Sequence, residues 1–201
     1  MTTKVIRFIG LSLVLLLILT SLVLCQIETN GLKYSPLPDG TYGVAAGTAR
    51  NLEKIVIPAS YNGKAVTAIL PEAFEKATNL KSVTIPDSIT RIGNRAFYGC
   101  NSLTNISIPD SVTTIGEYAF HGCSSLANIT IPDSVTSIGF SSFDNCSRLT
   151  SVTFDHTDGW WVSPSSISTN GTTIAATDLA DPTTAATYLT STYLNYYWKR
   201  N

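Results

Sequence analysis

Apolar residues recur through the middle of the chain with a period of 23 residues, the spacing from Leu80 to Leu103 and from Leu103 to Leu126. Each of these leucines opens the pattern Leu-x-x-Ile/Val-x-Ile-Pro, and a fourth copy begins at Leu149 and has Phe154 in place of the last isoleucine. The other columns that keep the period are Phe74, Phe97, Phe120 and Phe143; Ile92, Ile115 and Ile138; and Gly93, Gly116 and Gly139. A fixed period of this length indicates a solenoid, in which each unit packs only against its neighbours.

Each unit predicts two short strands and a turn. Leu-x-x-Ile-x-Ile alternates apolar and polar residues as a strand does, and the proline ends the strand because it has no N–H to donate. The Asp that follows is placed to accept a turn amide. A second strand, Val/Ile-Thr-x-Ile, ends at a glycine that can adopt a positive φ. A brief helical turn is predicted next, at Asn94–Tyr98 in one unit, with Ala96 and Phe97 buried.

The predicted stack needs a cap at its start. The copy upstream of the regular repeats is irregular, and an insert at residues 59–65 accounts for its extra length. Before it, Leu32–Tyr34 and Thr41–Val44 flank the turn sequence Pro38-Asp39-Gly40. This pattern predicts a β-hairpin that covers the first coil.

The composition changes after Asp155, where a second cap is predicted. Trp160–Val162 and Thr172–Ile174 predict a pair of strands, with Asn170-Gly171 as a tight turn. Asp181 is expected to cap a helix that starts at Pro182. One face of that helix is predicted to carry Ala185, Leu189, Tyr193, Tyr196 and Tyr197.

The N-terminal segment indicates export. Lys4 and Arg7 precede an uncharged stretch, Phe8–Leu24, and the sequence Leu22-Val-Leu-Cys25 resembles a bacterial lipobox in which the cysteine carries the lipid. Leu24 departs from that pattern, because a small residue normally precedes the cysteine. A lipid anchor, an uncleaved helical anchor and cleaved secretion therefore stay open, and in each the rest of the chain is exported.

The length, composition and net charge of the chain limit the classes of protein to which it can belong. The chain has 201 residues, 44% of them hydrophobic and 13% charged, which suits one packed domain. The predicted organisation is an export segment at 1–25, an N-terminal hairpin cap at 26–51, a solenoid at 52–154 and a C-terminal cap at 155–201. The net charge is −1, and no stripe of Lys and Arg is present to follow a phosphate backbone. Nucleic acid is therefore not a predicted partner.

One uninterrupted unit carries a family resemblance. Residues 108–126, Ile-Pro-Asp-Ser-Val-Thr-Thr-Ile-Gly-Glu-Tyr-Ala-Phe-His-Gly-Cys-Ser-Ser-Leu, resemble the BspA-type leucine-rich repeat. The resemblance covers about residues 52–154, and the hairpin followed by Tyr61-Asn62-Gly63-Lys64 is similar to the family's entry unit. It implies a leucine-rich-repeat solenoid and a surface protein of a host-associated microbe, several members being adhesins. It implies no catalytic residues and no cofactor.

The residues able to carry chemistry do not form a recognised catalytic or metal motif. Cys100, Cys123 and Cys146 recur once per coil, so they are predicted to stack as small buried residues and not to converge on a metal. A disulfide between two neighbours stays open. His121 and His156 are the only histidines, and neither lies near a nucleophile in a known context. His121 belongs to a variable column that is predicted to be exposed.

Two surfaces are candidates for binding. The first is the outward side of the first strands, formed by Ser82 and Thr84, Asn105 and Ser107, Asn128 and Thr130, and Ser151 and Thr153. Ser and Thr also simply suit solvent-facing strand positions. The second is the set of positions at which the coils differ, comprising Arg91, Arg95, Tyr98, Glu117, Tyr118, His121 and Phe140. Variation on a constant scaffold can encode specificity, and Tyr and Arg are favoured anchors.

The sequence therefore predicts a non-enzymatic, exported binding protein that recognises a host or microbial macromolecule. Protein and glycan ligands both stay open, because exposed aromatic rings also stack on sugars. The alternative is a structural lipoprotein that packs on other proteins of the cell envelope.

Overall fold

Stacked coils account for most of residues 31–200, the part of the chain that the computed structural model describes. The strands are β1 (Lys33–Pro36), β2 (Tyr42–Ala45), β3 (Lys54–Val56), β4 (Ser60–Tyr61), β5 (Lys64–Ile69), β6 (Ser82–Thr84), β7 (Arg91–Ile92), β8 (Asn105–Ile106), β9 (Thr114–Ile115), β10 (Asn128–Ile131), β11 (Ser137–Ile138), β12 (Ser151–Phe154), β13 (Trp160–Ser163), β14 (Thr172–Thr173) and β15 (Tyr197–Arg200). The helices are a 3-10 helix at Gly47–Asn51, α1 (Ala176–Ala180), α2 (Pro182–Thr187) and a π-helical turn at Tyr188–Thr192.

The first side of the solenoid is a sheet that contains one strand from each coil. β2, β5, β7, β9 and β11 are parallel neighbours, so the stack has five coils. Consecutive coils are in register, with Ile92 opposite Ile115 and Ile115 opposite Ile138. β1 adds an antiparallel strand at one end of this sheet, and β15 does so at the other. The predicted solenoid and its 23-residue register are confirmed.

The second side carries the first strand of each repeat. β3, β6 and β8 form one parallel sheet, and β10 and β12 form another. Val83, Ile129 and Val152 point into the core, whereas Thr130 and Thr153 are exposed. We call the outward side of these strands the strand face. Apart from the exposed Val56 on β3, it is polar, as the alternation of the repeat predicts.

The third side consists of consecutive turns, and the predicted helical turn is wrong. The N–H of Tyr98 donates to the carbonyl of Arg95 at 3.1 Å, while the N–H groups of Arg95, Phe97 and Gly99 donate to carbonyls of the next coil. Arg95 and Gly99 have φ values of 56° and 68°, which a helix cannot include. Ala96 and Phe97 are nevertheless fully buried, as predicted. We call residues 71–76, 94–99, 117–122 and 140–145 the turn side.

The glycine column that ends the second strand has a different cause from the predicted one. Gly93, Gly116 and Gly139 are not among the residues with positive φ. A Cβ atom on Gly93 or Gly116 would instead lie 2.6 Å from a backbone nitrogen of the preceding coil, and one on Gly139 would also overlap that backbone. Close packing of neighbouring coils therefore requires glycine at these positions.

Columns of phenylalanine and cysteine run through the core. The rings of Phe74, Phe97, Phe120 and Phe143 stack with centroids 5.2, 5.3 and 5.3 Å apart, and all four are fully buried. The thiols of Cys100, Cys123 and Cys146 are free and buried, and each donates to the carbonyl of a phenylalanine of the preceding coil at 3.1–3.3 Å. Burial raises the pKa of Cys100 and Cys146 to about 12 and raises that of Cys123 well above its usual value. These cysteines are protonated donors inside the core and not a disulfide.

The predicted N-terminal hairpin is present. β1 and β2 pair antiparallel, and the turn between them has φ 83° at Gly40. The carboxylate of Asp39 accepts hydrogen bonds from the N–H and the hydroxyl of Thr41 at 3.0 and 2.6 Å. The predicted insert forms a second hairpin, β4 and β5, which turns at Asn62-Gly63 with positive φ at both residues.

A C-terminal cap covers the last coil. α2 packs on β12, and the buried side chains of Trp160 and Trp198 lie with ring centroids 6.4 Å apart. The carboxylate of Asp181 accepts a hydrogen bond from the N–H of Thr184 at 2.7 Å, so the predicted helix cap is correct. The strand-plus-helix character of this cap is confirmed.

Two details of the cap differ from the prediction. The helical stretch ends at Thr192, and Tyr197 lies in β15, which is inserted between β11 and β13 and antiparallel to both. The predicted helix face therefore does not extend over Tyr193, Tyr196 and Tyr197. Residues 164–171 connect β13 to β14, with their turn at 166–167 and not at Asn170-Gly171. The predicted export segment and lipid site at Cys25 lie outside the described residues.

Candidate functional site

The structure places most of the predicted binding residues on one side of the solenoid. Arg95, Tyr98, Glu117, Tyr118, His121 and Phe140 belong to the turn side of three consecutive coils. Arg91 lies instead on β7, where it lines a shallow depression of the first sheet. The seven predicted residues therefore form one cluster of six and one separate arginine on the neighbouring side.

Aromatic rings connect the members of the cluster. Tyr98 and His121 stack with centroids 4.7 Å apart and planes within 1° of parallel. Tyr118 contacts His121 edge to face at 5.8 Å and Phe140 at 5.7 Å. All four side chains are half-buried. The rings hold one another in place, so their outer faces and edges form a fixed aromatic surface.

Arg95 lies against two of these rings. Its guanidinium carbon is 5.9 Å from the centroid of Tyr98 and 5.6 Å from that of Tyr118. One Nη atom is 4.0 Å from a carboxylate oxygen of Glu72, and the side chain is 51% exposed. The cation–π contacts and the distant carboxylate orient the guanidinium, and half of the side chain stays exposed to solvent.

Tyr197 extends the cluster, and the sequence analysis missed it. Its ring lies 5.8 Å from that of Phe140, and its hydroxyl donates to a carboxylate oxygen of Glu117 at 3.0 Å. Desolvation and the Glu117 carboxylate raise the pKa of Tyr197. Tyr197 is half-buried beside the buried Trp198 on β15, but the sequence Tyr-Trp-Lys-Arg has no apolar–polar alternation, so no local signal located this residue.

His121 is not the exposed residue that the repeat pattern predicted. Its side chain is 18% exposed, and Nδ1 lies 3.4 Å from a carboxylate oxygen of Asp144. That approach is too poorly aligned for a hydrogen bond, so the buried Nδ1 has no hydrogen-bond partner among the described residues. His156 lies elsewhere, against Asp133 at 3.1 Å. The two histidines therefore do not share a site.

The turn side holds large side chains at a backbone position that favours glycine. Two positions of each coil have left-handed φ. The second is occupied by Lys76, Gly99, Gly122 and Asn145, with glycine or asparagine in three of four coils. The first is occupied by Glu72, Arg95, Tyr118 and Ser141, with φ of 58°, 56°, 55° and 50°. Each such residue other than Gly or Asn costs about 1 kcal/mol or more, and strain of this kind collects at functional sites.

The chemistry of this arrangement suits binding. It offers aromatic faces, one oriented guanidinium and the carboxylate of Glu117, which accepts a hydrogen bond from Tyr197. It also offers the amide of Asn94, whose Oδ1 accepts from the N–H of Glu117 at 3.0 Å. Within residues 31–200, no group of His, Cys, Asp and Glu side chains is arranged to hold a metal ion. Of the helices described there, none has the length and hydropathy that crossing a bilayer requires.

A repeat-family model matches the chain. The model, described as BspA type leucine rich repeat region, matches residues 47–158 in 6 copies, which is more than half of the chain. No curated protein gives a match.

Solved structures of bacterial leucine-rich repeat proteins are also similar to this chain. TpLRR of T. pallidum is 32% identical over 61% of this chain and 57% of its own length, with a TM-score of 0.58. A leucine-rich repeat protein from Bacteroides capillosus is 30% identical over 64% of this chain and 96% of its own, with a TM-score of 0.55. The pneumococcal vaccine antigen PcpA, 24% identical over 66% of this chain and 33% of its own with a TM-score of 0.53, shares the fold. The chain thus spans little more than half of the T. pallidum protein.

Proposed function

This chain belongs to the BspA-type leucine-rich repeat family, and from that premise we propose that it is a non-catalytic binding protein of the bacterial cell surface. It recognises a host or microbial macromolecule through the turn side. The repeat family is generally non-catalytic and builds extended binding surfaces from stacked coils.

The observation that carries the proposal is the aromatic cluster into which Arg95 and Tyr118 extend. Both residues have left-handed φ at a position where glycine would be less strained, and both contribute side chains to the aromatic cluster. Tyr and Arg are also the residues most enriched among the strong contributors to binding interfaces. The fold alone requires neither side chain, since Glu72 and Ser141 occupy the same position in other coils with similar φ.

A cluster that spans three coils is small. Neighbouring coils lie about 4.8 Å apart, so the patch is below the size of a standard protein interface. A single copy should bind in about the micromolar range, and many copies on one cell would add avidity.

We expect alanine substitutions at Arg95, Tyr98 and Tyr118 together to weaken binding at least about thirtyfold, because they remove the guanidinium and two rings. The protein is displayed as a multivalent array and screened against matrix proteins, glycans and whole cells. A matched control carries Thr84→Ala, Thr130→Ala and Thr153→Ala on the strand face and should bind as the unmodified protein does. Loss of binding by the control alone would move the site to the strand face, and no binding by the unmodified protein would favour a structural role in the envelope.

The proposal includes attachment to the membrane through a lipid at Cys25, supported by the lipobox-like sequence Leu22–Cys25. We expect Cys25→Ala to move the protein from the detergent phase to the aqueous phase in a phase-partition assay. A Cys25→Ala protein that stays wholly in the detergent phase would instead indicate an uncleaved helical anchor.

A further inference from the structure

A shallow groove follows the corner between the first sheet and the turn side. Three contiguous depressions of about 600, 300 and 180 Å³ all include Asn94 in their lining. Gly93, Gly116 and Gly139 lie along the groove and present no side chain. We call this feature the corner groove.

The two ends of the corner groove are defined by larger side chains. Leu70 directly follows β5, at the position that glycine takes in the next three coils, and Tyr197 of β15 lines the other end. Four strand spacings of about 4.8 Å, from β5 to β15, separate these ends, which gives a length of about 19 Å. The groove therefore suits a short length of a linear polymer lying along the solenoid axis.

The lining of the corner groove is polar and nearly balanced in charge. Thr114 and Ser137 contribute hydroxyl groups, and Asn94, Arg91 and Glu117 contribute an amide, a guanidinium and a carboxylate. Two other basic groups line the groove. Arg95 lies 4.0 Å from a carboxylate oxygen of Glu72. Nζ of Lys199 is already occupied, because it donates to the carbonyls of Ser166 and Ser168 at 2.6 and 3.1 Å. Such a lining matches a ligand with many hydroxyl groups and no net charge.

Aromatic rings complete the lining on the turn side. Tyr118 borders the depression that contains Arg95, and Tyr197 borders the one that contains Ser137. Both rings are half-buried, so each keeps part of its surface for contact while its hydroxyl end stays polar. An amphipathic ring beside hydrogen-bonding groups suits a sugar, which has polar hydroxyls around an apolar face.

An extended peptide fits this groove less well. The N–H groups of Gly116 and Gly139 already donate to the carbonyls of Ile92 and Ile115 at 2.9 and 2.8 Å, so a peptide strand cannot add to the sheet here. The shallow lining also lacks a deep apolar pocket of the kind that holds the anchor side chains of a protein partner.

We propose that the corner groove binds a few consecutive sugar rings of a linear, neutral glycan. The inference rests on the proposed binding function of the turn side and names its ligand class. Tyr118 and Tyr197 stack on sugar faces, while Asn94, Glu117 and Arg91 bond to hydroxyl groups in the groove.

The test uses the full chain in detergent micelles and neutral linear tetrasaccharides of glucose, galactose, mannose and N-acetylglucosamine as probes in titration calorimetry. Thr114→Phe places a ring in the groove at an exposed strand position, and Thr130→Phe does the same on the strand face as the matched control. We expect at least one tetrasaccharide to bind, Thr114→Phe to weaken that binding at least tenfold, and Thr130→Phe to leave it unchanged.

Other outcomes overturn the inference. Equal binding by both phenylalanine variants would place the glycan elsewhere. If none of the tetrasaccharides binds, the glycan assignment is wrong, whereas the array experiment still decides the proposed function. Binding of an extended peptide library that Thr114→Phe abolishes, with no glycan binding, would keep the site and replace its ligand class.

Discussion

Replacing Phe120 by alanine is expected to lower the free energy of unfolding by about 3–5 kcal/mol. The ring is fully buried, with the rings of Phe97 and Phe143 stacked on its two sides at 5.3 Å. The cavity cannot close, because the backbone is fixed to the next coil by the hydrogen bond from the N–H of Phe120 to the carbonyl of Ser142 at 2.8 Å. The transfer cost and the cavity cost therefore add.

Urea denaturation followed by circular dichroism measures this loss. Phe140→Ala is the matched control, since Phe140 is also a phenylalanine but is half-buried on the turn side. Its loss should be about 1 kcal/mol, because partly exposed rings contribute less burial. A change below about 1 kcal/mol for Phe120→Ala would contradict the assignment of the phenylalanine column to the core.

The sequence determines the coil register so clearly because every coil offers the same environment. Phe97 and Phe120 repeat since each packs on its equivalent in the next coil, and a period of 23 is visible without any structure. Ile92 and Ile115 repeat for the same reason in the first sheet. In a repeat protein, contacts between coils therefore appear in the sequence as a fixed spacing between like residues.

The backbone conformation of the turn side could not be predicted from the sequence in the same way. Asn94–Tyr98 has the length of one helical turn and buries Ala96 and Phe97 as a helix face would. The preference for left-handed φ at Arg95 comes from hydrogen bonds to the next coil, which single-coil propensities do not include. The same limit hid the real reason for Gly116, since only the stacked structure shows how close the preceding coil lies.

The position of Tyr197 depends on pairing between distant parts of the chain. Tyr193, Tyr196 and Tyr197 have the spacing of a helix face, and nothing local excludes that interpretation. In the structure β15 pairs with β11 and β13, which places Tyr197 beside Phe140. Six members of the cluster could thus be predicted from variation between coils, but its last ring could not.

Replacing Arg95 and Tyr118 together by glycine is expected to weaken binding by at least about thirtyfold, since loss of one hot-spot side chain costs about 2 kcal/mol or more and the losses of two neighbours do not add fully. The same change removes two strained left-handed side chains. Each replacement should relieve about 1 kcal/mol of backbone strain, which offsets the lost ring contacts of Tyr118. The double replacement should therefore weaken binding without lowering the free energy of unfolding.

The matched control adds a side chain at left-handed positions instead of removing one. Gly99 and Gly122 have φ of 68° and 73° in the neighbouring left-handed column, and their added Cβ atoms would meet other atoms no closer than 3.5 Å. Gly99→Ala and Gly122→Ala together should lower stability by about 2 kcal/mol through φ strain alone. Their binding should be unchanged where the protein is folded, because these changes add no groups to the aromatic cluster.

One measurement tests most directly whether Arg95 and Tyr118 serve a binding site on the turn side. It is the thermal melting of the Arg95→Gly, Tyr118→Gly protein, measured together with its binding in the multivalent array. We expect a melting temperature equal to or above that of the unmodified protein, together with loss of binding to every macromolecule that the unmodified protein captures. A lower melting temperature with binding retained would contradict the claim, because Arg95 and Tyr118 would then serve the fold and not the site.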